Sequence, residues 1–432
     1  MRSSASIAGW GSKGYTQPGR SLKLFGIFCT VSVLFIFSMF YRLSNAVIAP
    51  ELVRTFDLTA ESLGVLGGAF FYSFALMQIP MGVLLDRIGP RYVMTIFGLV
   101  AALGAFVFAS AHTFFVAILG RILLGAGMAS VLMGSLKMFV LRFSQDKFST
   151  LSGILISVGA FGSILAASPL AWLTANIGWR ITFVVAGCIT TASALLIFFV
   201  TKDGDKKLEN PINQTNTADK TIPFRELLFI ILKNLSFWQI AAFGFFRYGT
   251  FVALQGLWLA TYLIDVKGFS PIQAGNFLVI LSIGYFAGAP IAGYLADKVI
   301  RSAKMTAFCF VTFYVMSLLP LTGIVNIENP FIFGILFFMI GFFNSPGSLA
   351  FTHVKELYPV NISGTVIAAI NFFVMAGGAI FTPALGMVIE AVTPKGQSYS
   401  SAAYHLVFLI CFLSTAGSLV IYAFSKSKLT SR

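Results

Sequence analysis

Long apolar runs alternate with short polar gaps along almost the whole chain. A helix needs about 20 apolar residues to cross a bilayer, and runs of that length occur twelve times. The pattern predicts an all-α membrane protein with twelve transmembrane helices. The predicted spans are residues 24–48, 61–83, 92–111, 114–139, 148–172, 180–201, 236–263, 271–295, 305–325, 331–354, 362–388 and 401–424.

One long polar gap, rich in charged residues, Asn and Thr, lies between the sixth and seventh spans. It predicts a linker between two pseudo-symmetric bundles of six helices each. The predicted parts are a cytoplasmic tail at 1–23, a first bundle at 24–201, a cytoplasmic linker at 202–235, a second bundle at 236–424 and a second cytoplasmic tail at 425–432.

Composition agrees with this prediction. Hydrophobic residues fill 57% of the 432 positions and charged residues only 10%, against about 25% charged in soluble proteins. A soluble fold of this size would lack a polar surface. The net charge of +14 could indicate nucleic-acid binding, but the cations lie mostly in short gaps between apolar runs. We therefore expect the lipid bilayer as a partner, and no nucleic acid.

The distribution of charge predicts the orientation. With the N-terminus in the cytoplasm, 21 of the 29 Lys and Arg residues lie on the cytoplasmic side, four lie on the other side and four lie within spans. Positive charge favours the cytoplasmic side, so both termini are predicted to be cytoplasmic, in the inner (plasma) membrane. No Asp or Glu is predicted deep within a span. The four cations within spans are Arg42, Arg121, Lys137 and Arg247.

Motifs of enzymes are absent from the sequence. The four cysteines lie inside apolar runs without the spacing of a metal site. Neither a phosphate-binding loop, a haem motif nor a nucleophile elbow occurs. We expect no enzymatic activity, no metal and no cofactor.

The two halves repeat each other. The stretch "GVLLDRIGPR" at 82–91 follows the second span, and "GYLADKVIRS" at 293–302 follows the eighth. Gly82 and Gly293 are 211 positions apart, as are Asp86 and Asp297. A duplicated six-helix unit is typical of transporters that rock around a site at the interface of the two halves.

These motifs resemble those of the major facilitator superfamily. The resemblance implies a fold of two six-helix bundles and transport by alternating access. The first copy of the loop signature comprises Gly82, Asp86, Arg87, Gly89 and Arg91, and the weaker second copy comprises Gly293, Asp297 and Lys298. The fourth-span motif Arg-x-x-x-Gly-x-Gly comprises Arg121, Gly125 and Gly127.

The loop signature is expected to act as a conformational latch. The Asp86 carboxylate could accept hydrogen bonds from a neighbouring helix terminus or from Arg142. Such a contact would close the cytoplasmic side in one state and break in the other. The alternative is a surface turn that only keeps charge on the cytoplasmic side.

Each cation inside a span costs about 2.5–3.5 kcal/mol on insertion scales and therefore needs a partner. Lys137 lies near the cytoplasmic end of its span and could extend to the interface. Arg121 is expected to bond helix carbonyls or to couple conformations. Arg42 and Arg247 occupy the first span of each half, and together they could grip a phosphate, sulfonate or carboxylate. In the alternative, backbone carbonyls and Tyr or Asn side chains cap both arginines.

The surroundings of these two arginines resemble one branch of the superfamily. "YRLSNAVIAP" at 41–50 and "RYG" at 247–249 look like the first and seventh spans of the organophosphate–phosphate antiporters. A first-span arginine also recurs in the branch that moves organic carboxylates. Further polar residues in apolar runs are candidates for the same pocket: Tyr41, Asn45, Tyr72, Gln78, Tyr248, Gln255, Trp258, Asn344 and Asn371, with Lys137 added as a candidate substrate contact.

The predicted function is secondary active transport of a small organic anion, by a protein that we expect to be monomeric. Without a carboxylate in a span, coupling is expected to come from exchange for a counter-anion or from a proton carried on the substrate. One alternative is transport of zwitterions such as amino acids or peptides. Another is a transporter-like membrane sensor of a sugar phosphate.

Overall fold

The computed structural model describes residues 18–143, 145–201, 233–325, 329–358, 360–393 and 399–426. In these ranges the chain is almost entirely helical and contains no strand. The predicted linker, apart from its last three residues, lies outside the described residues, as do 1–17 and 427–432 of the predicted tails.

The described residues of the first half form eight helices. They are α1 (Pro18–Leu43), α2 (Asn45–Phe56), α3 (Ala60–Arg87), α4 (Pro90–Ala109), α5 (Phe114–Met128), α6 (Val131–Arg142), α7 (Gln145–Leu165) and α8 (Ser168–Val200).

The described residues of the second half form eight α-helices and three short helices of other types. They are α9 (Leu235–Ala253), a π-helix (Leu254–Trp258), α10 (Leu259–Asp265), α11 (Pro271–Tyr294), a second π-helix (Leu295–Val299), α12 (Ala303–Leu318), a 3-10 helix (Leu319–Thr322), α13 (Pro330–Asn344), α14 (Gly347–Glu356), α15 (Val360–Val392) and α16 (Ser401–Ala423).

These helices make twelve spans, as predicted. In the part of the chain that the structure describes, eleven helical segments are long and apolar enough to cross a membrane, and a shorter apolar segment covers Ile154–Leu165. The shorter segment belongs to the fifth span, which continues into α8 as far as Gly178, where the backbone leaves the helical conformation at φ 81°. The predicted end of this span at residue 172 was therefore too early, and the sixth span follows Gly178.

Side-chain contacts give the direction of the sixth span. Trp179 packs against Phe56 and Phe108, which lie at the far ends of spans 1 and 3. Near the other end, Arg91 at the start of α4 donates to the carbonyl of Phe198 at 3.0 Å. The chain thus reverses near Gly178 and returns to the side where α1 begins. We call that side, which the sequence predicts to be cytoplasmic, the inner side.

Five spans are interrupted along their length in the described part of the chain. Four of them, spans 1, 4, 7 and 10, are the first of each consecutive group of three, and the fifth is span 5, at residues 166–167 between α7 and α8. Span 1 is interrupted at Ser44, span 4 at residues 129–130 and span 10 at residues 345–346, while span 7 contains the π-helix Leu254–Trp258. An interrupted helix leaves backbone groups without intrahelical partners. Each interruption therefore needs hydrogen-bonding groups from a neighbouring helix.

Glycines allow the closest approaches between helices. A Cβ atom at Gly125 would lie 2.1 Å from the carbonyl oxygen of Phe70, so α5 and α3 touch through backbone. At Gly127 a Cβ would lie 2.4 Å from the backbone nitrogen of Ala101 on α4. The motif of Arg121, Gly125 and Gly127 thus packs span 4 against spans 2 and 3, as small residues do in membranes.

The two halves meet mainly on the outer side. There α2 packs against the first π-helix, α10 and α11, and α3 lies along α15. On the inner side, α6 and α14 make their extensive contacts with helices of their own half, among the residues that the structure describes. The centre of the molecule is therefore closed towards the outside.

Candidate substrate site

A cavity of about 140 Å³ lies between spans 1, 5, 7 and 8, at the interface of the two halves. Its polar groups come from both halves, which matches the expected place of a substrate site in a duplicated transporter. The cavity is lined by Phe35, Met39, Arg42, Leu43, Ile156, Gly159, Ala160, Ser163, Tyr248, Phe251, Val252, Gln255, Ser282 and Tyr285.

Arg42 lies in this lining, at the end of α1 beside the interruption of span 1. Its side chain is 8% exposed. One terminal nitrogen, Nη1, donates to the hydroxyl of Tyr248 at 2.8 Å, and the guanidinium lies 4.8 Å from the centre of the Phe74 ring. Its Nε has no hydrogen-bond partner among the described residues. Arg42 is thus a buried cation that faces the cavity with donors to spare.

Arg247 lies one residue before Tyr248 but points the other way. Its Nη1 donates to the backbone carbonyl of Asn344 at 2.8 Å and to the Asn344 side-chain oxygen at 3.1 Å. It is 3% exposed and does not line the cavity. The residue next to it, Tyr248, is the one that bonds Arg42. The structure therefore brings the two arginines into one neighbourhood and gives them different partners.

Arg121 is fully buried inside the first half. Its Nη1 donates to the carbonyl of Tyr41 at 2.7 Å, and its guanidinium lies 5.1 Å from the centre of the Phe70 ring. Tyr41 lies three residues before the interruption at Ser44, whose hydroxyl also donates to that carbonyl. Arg121 therefore caps the broken end of α1 and lies away from the cavity lining.

Lys137 also bonds a helix carbonyl. Its Nζ donates to the carbonyl of Leu85 at 2.7 Å, near the inner end of span 2. Lys137 is absent from the cavity lining.

Several predicted pocket residues lie elsewhere. The Tyr41 hydroxyl pairs with Thr190 at 3.0 Å inside the first half, and the Trp258 indole donates to the carbonyl of Thr382 at 3.0 Å. Tyr72 is 45% exposed, on a solvent-accessible face of α3 that it shares with Leu76. None of these three lines the cavity, because the rotation of each helix turns them towards other neighbours.

Three predicted amides have separate surroundings. Gln255 lines the cavity and donates to Ser282 at 3.3 Å. Asn371 donates across the interface of the halves to Gln78 at 3.2 Å. Asn45, at the start of α2, is 1% exposed, and both polar atoms of its side chain lack a hydrogen-bond partner among the described residues.

The predicted latch is described only in part. The side chain of Asp86 is outside the described part of the chain. Gly89 has φ 89°, a conformation that glycine adopts readily, and starts the turn into α4. Of the remaining residues, Arg87, Gly82, Asp297 and Lys298 are exposed, Gly293 and Arg142 are half-buried, and Arg91 bonds the end of span 6.

Sequence reasoning missed three polar residues of the lining. They are Ser163 on span 5 and Ser282 and Tyr285 on span 8. The spacing of three between Ser282 and Tyr285 puts them on one helix face, which was the available signal. Ser163 had no such partner in its own span.

Acidic groups do not balance the buried arginines among the described residues. The one ion pair there joins Arg54 to Glu51 at 3.7 Å, and both side chains are exposed. No group of three His, Cys, Asp or Glu residues in the described part of the chain is arranged to hold a metal ion. The cavity is therefore a site of positive charge without a protein carboxylate in these ranges.

Comparison with known families decides the identity of the fold. The profile described as Major Facilitator Superfamily matches residues 30–382, most of the chain. The chain belongs to the major facilitator superfamily. It is therefore a multi-pass membrane transporter rather than an enzyme.

Two curated superfamily members are similar to the chain over most of its length. One is the "D-galactonate transporter" of Escherichia coli O6:H1, 25% identical, with 87% of this chain and 90% of that protein covered. The other is the "Probable hexose phosphate transport protein" of Chlamydia pneumoniae, 22% identical, with 90% of each covered.

A solved superfamily structure shares the fold. It is a bacterial homologue of the human lysosomal transporter Spinster, in an inward-facing and unoccupied conformation. It superposes with a TM-score of 0.74 at 16% identity, and the match covers 96% of this chain and 98% of that chain. At this identity the likeness concerns the fold alone.

Proposed function

We propose that this transporter carries a small organic anion, either a phosphorylated metabolite or a carboxylate, by alternating access. The observation that carries the proposal is Arg42, a buried guanidinium in the lining of the central cavity, whose Nε has no hydrogen-bond partner among the described residues. Buried charges in proteins are normally paired. An anionic substrate would supply the missing partner.

The surroundings of Arg42 support an anion further. Arg247 adds a second positive charge close by, and Tyr248, Gln255 and Ser282 offer hydroxyl and amide groups around the cavity. A cavity of about 140 Å³ suits a small substrate. The names of two relatives, one for a sugar acid and one for a sugar phosphate, support an anion in either form.

Buried arginines without a paired carboxylate among the described residues fit coupling by exchange of one anion for another. A loaded site neutralises its own arginine, whereas an empty site carries unbalanced charge and resists passage through the closed state. A proton carried on the substrate's own carboxylate or phosphate would serve a symporter in the same way. The cavity lies between the two halves of a single chain, and we propose a monomer as the working unit.

Transport by purified protein in liposomes tests the proposal. We expect uptake of labelled sugar acids or sugar phosphates, and faster uptake when the vesicles are loaded with a counter-anion. Arg42→Gln should lower the affinity at least tenfold, since a charge-assisted hydrogen bond is worth about 1.5–3 kcal/mol. Uptake of dipeptides in preference to anions, or unchanged anion affinity in Arg42→Gln, would contradict the proposal.

A further inference from the structure

Arg42 and Arg247, each on the first span of its half, contact different groups. Arg42 lines the cavity, whereas Arg247 does not. The partner of Arg247 is the interruption of span 10, on a helix of its own half. Its contacts are those of a group that holds a helix end together.

The chemistry of the interruption explains this contact. Residues 345–346 separate α13 from α14, and Pro346 has no N–H to continue the helical ladder. The carbonyl of Asn344, the last residue of α13, lies where the ladder is broken, and Arg247 donates to it. A cation at the carboxyl end of a helix also interacts favourably with the helix dipole.

Gly347, the first residue of α14, makes room for the guanidinium. A Cβ atom at this position would lie 2.8 Å from Nη2 of Arg247. Any larger residue would push the end of the arginine away from Asn344. The position of Arg247 thus depends on both sides of the interruption, the end of α13 and the start of α14.

α14 is the inner half of span 10. Its extensive contacts are with α9, α12 and α15, all in the second half. Ser348 and Thr352, four residues apart, form an exposed polar stripe on it. Among the described residues α14 makes no extensive contact with the first half, so closure of the inner side at span 10 requires movement of α14 towards that half.

We propose that Arg247 is a positioning residue that couples the occupied cavity to the movement of α14. Arg247 holds the α13–α14 interruption through Asn344. An anion bound at Arg42 attracts the guanidinium of Arg247 away from that carbonyl, and the interruption is freed to bend. α14 then swings inward over the loaded cavity. This inference rests on the proposed function, since it needs an anion at Arg42.

Two substitutions test the switch in opposite directions. Asn344→Asp places a carboxylate beside Arg247 and should keep it at the interruption. Gly347→Ala displaces the guanidinium and should release the interruption without any anion. Gly334→Ala is the matched control on the same span, because a Cβ there would meet only Ile280, at an ordinary 3.7 Å.

Binding and exchange are measured separately, with the anion that the wild-type protein transports best as the probe. We expect Asn344→Asp to raise the Kd, measured by calorimetry, because it holds Arg247 away from the anion, and Gly347→Ala to leave the Kd no higher than in the wild type. Both should lower the exchange rate in liposomes, measured at saturating anion, at least tenfold. Gly334→Ala should leave both quantities unchanged. If these residues served folding alone, the substitutions would leave the ratio of the exchange rate to the Kd unchanged.

Accessibility of α14 gives a second readout. Thr352→Cys, in a protein that also carries Cys188→Ser to remove an exposed native thiol, is labelled with a water-soluble maleimide in detergent. The anion should slow labelling at least threefold in this background. With Asn344→Asp labelling should stay fast with or without the anion, and with Gly347→Ala it should stay slow in both conditions.

The outcomes separate the two proposals. If the wild-type protein binds no anion, or if Arg42→Gln binds it normally, the proposed function fails. If binding depends on Arg42 but Asn344→Asp exchanges at the wild-type rate, and if labelling of the Thr352→Cys thiol in that variant still responds to the anion, the switch is wrong and the proposed function stands.

Discussion

Three arginines of the described residues are buried within spans, and the chemistry of each follows from the groups that it can reach. Arg121 and Arg247 donate to carbonyls beside helix interruptions, whereas Arg42 donates to a tyrosine hydroxyl. Each of the three has an Nε without a hydrogen-bond partner among the described residues, so a spare donor does not distinguish them. Of the three, Arg42 alone lines the cavity, and it is therefore the residue best placed to bind substrate directly.

The hydroxyl of Tyr248 holds Arg42 against the cavity, and its removal should weaken anion binding. We expect Tyr248→Phe to raise the Kd about tenfold, corresponding to ~1.4 kcal/mol for a hydrogen bond to a charged group. Tyr72→Phe is the control, because Tyr72 lies on an exposed face of α3 and does not line the cavity. Calorimetry on the two variants checks the prediction. Equal affinities for both variants would mean that Tyr248 does not orient Arg42.

At the scale of helices, close packing and interruption occur together. Glycines bring backbones into contact, as at Gly377, where a Cβ atom would lie 2.1 Å from the carbonyl oxygen of Phe245. In span 7 itself the first π-helix, Leu254–Trp258, follows α9 directly. Tight packing of the intact segments makes the interruptions the points where a span can bend, since packed helices resist gradual deformation.

Gly377→Ala tests the packing of span 7 against span 11. The added methyl group would overlap the Phe245 carbonyl, and overpacking of this kind costs about 1–3 kcal/mol. We expect a lower melting temperature in a thermal-shift assay with purified protein. Gly417→Ala is the control, because nothing lies within 4 Å of its Cβ position. A melting temperature equal to that of the control would show that the helices can move apart without cost.

At the scale of the whole molecule, the outer side is closed by contacts across the halves. Gly64 and Gly68 of α3 lie against Pro383 of α15, where a Cβ atom would come within 2.9 Å of it. Glu390, near the outer end of α15, accepts a hydrogen bond from the backbone nitrogen of Ala60 at 3.1 Å. A carboxylate from one half thus caps the first residue of a helix in the other.

Removing this charge should loosen the outer closure. Glu390→Gln keeps the shape but loses the interaction with the helix dipole, worth about 1 kcal/mol. A cysteine in place of Thr382, which is 2% exposed and faces Gly67, should then react with a water-soluble maleimide about fivefold faster. Glu61→Gln is the control, because Glu61 lies in the first turn of α3, the helix that Glu390 caps. No difference between the two variants would rule out a role for Glu390 in closure.

Some of the site could be predicted and some could not. Arg42, Tyr248 and Gln255 were recognisable as polar groups in apolar runs, and they do line the cavity. Tyr41, Tyr72 and Trp258 carry the same signal and face elsewhere. Polarity within a span says that a group needs a partner, but it does not say on which side of the helix the partner lies.

The sequence by itself determined the twelve spans, the duplication and the presence of buried cations, because hydrophobic length and local charge are properties of short stretches of chain. Only the tertiary structure decided which cation faces the cavity. The partners of Arg42 and Arg247 are 206 and 97 positions away along the chain. Such contacts depend on how each helix is rotated and where it is interrupted, and both are set by packing against helices that are remote in sequence.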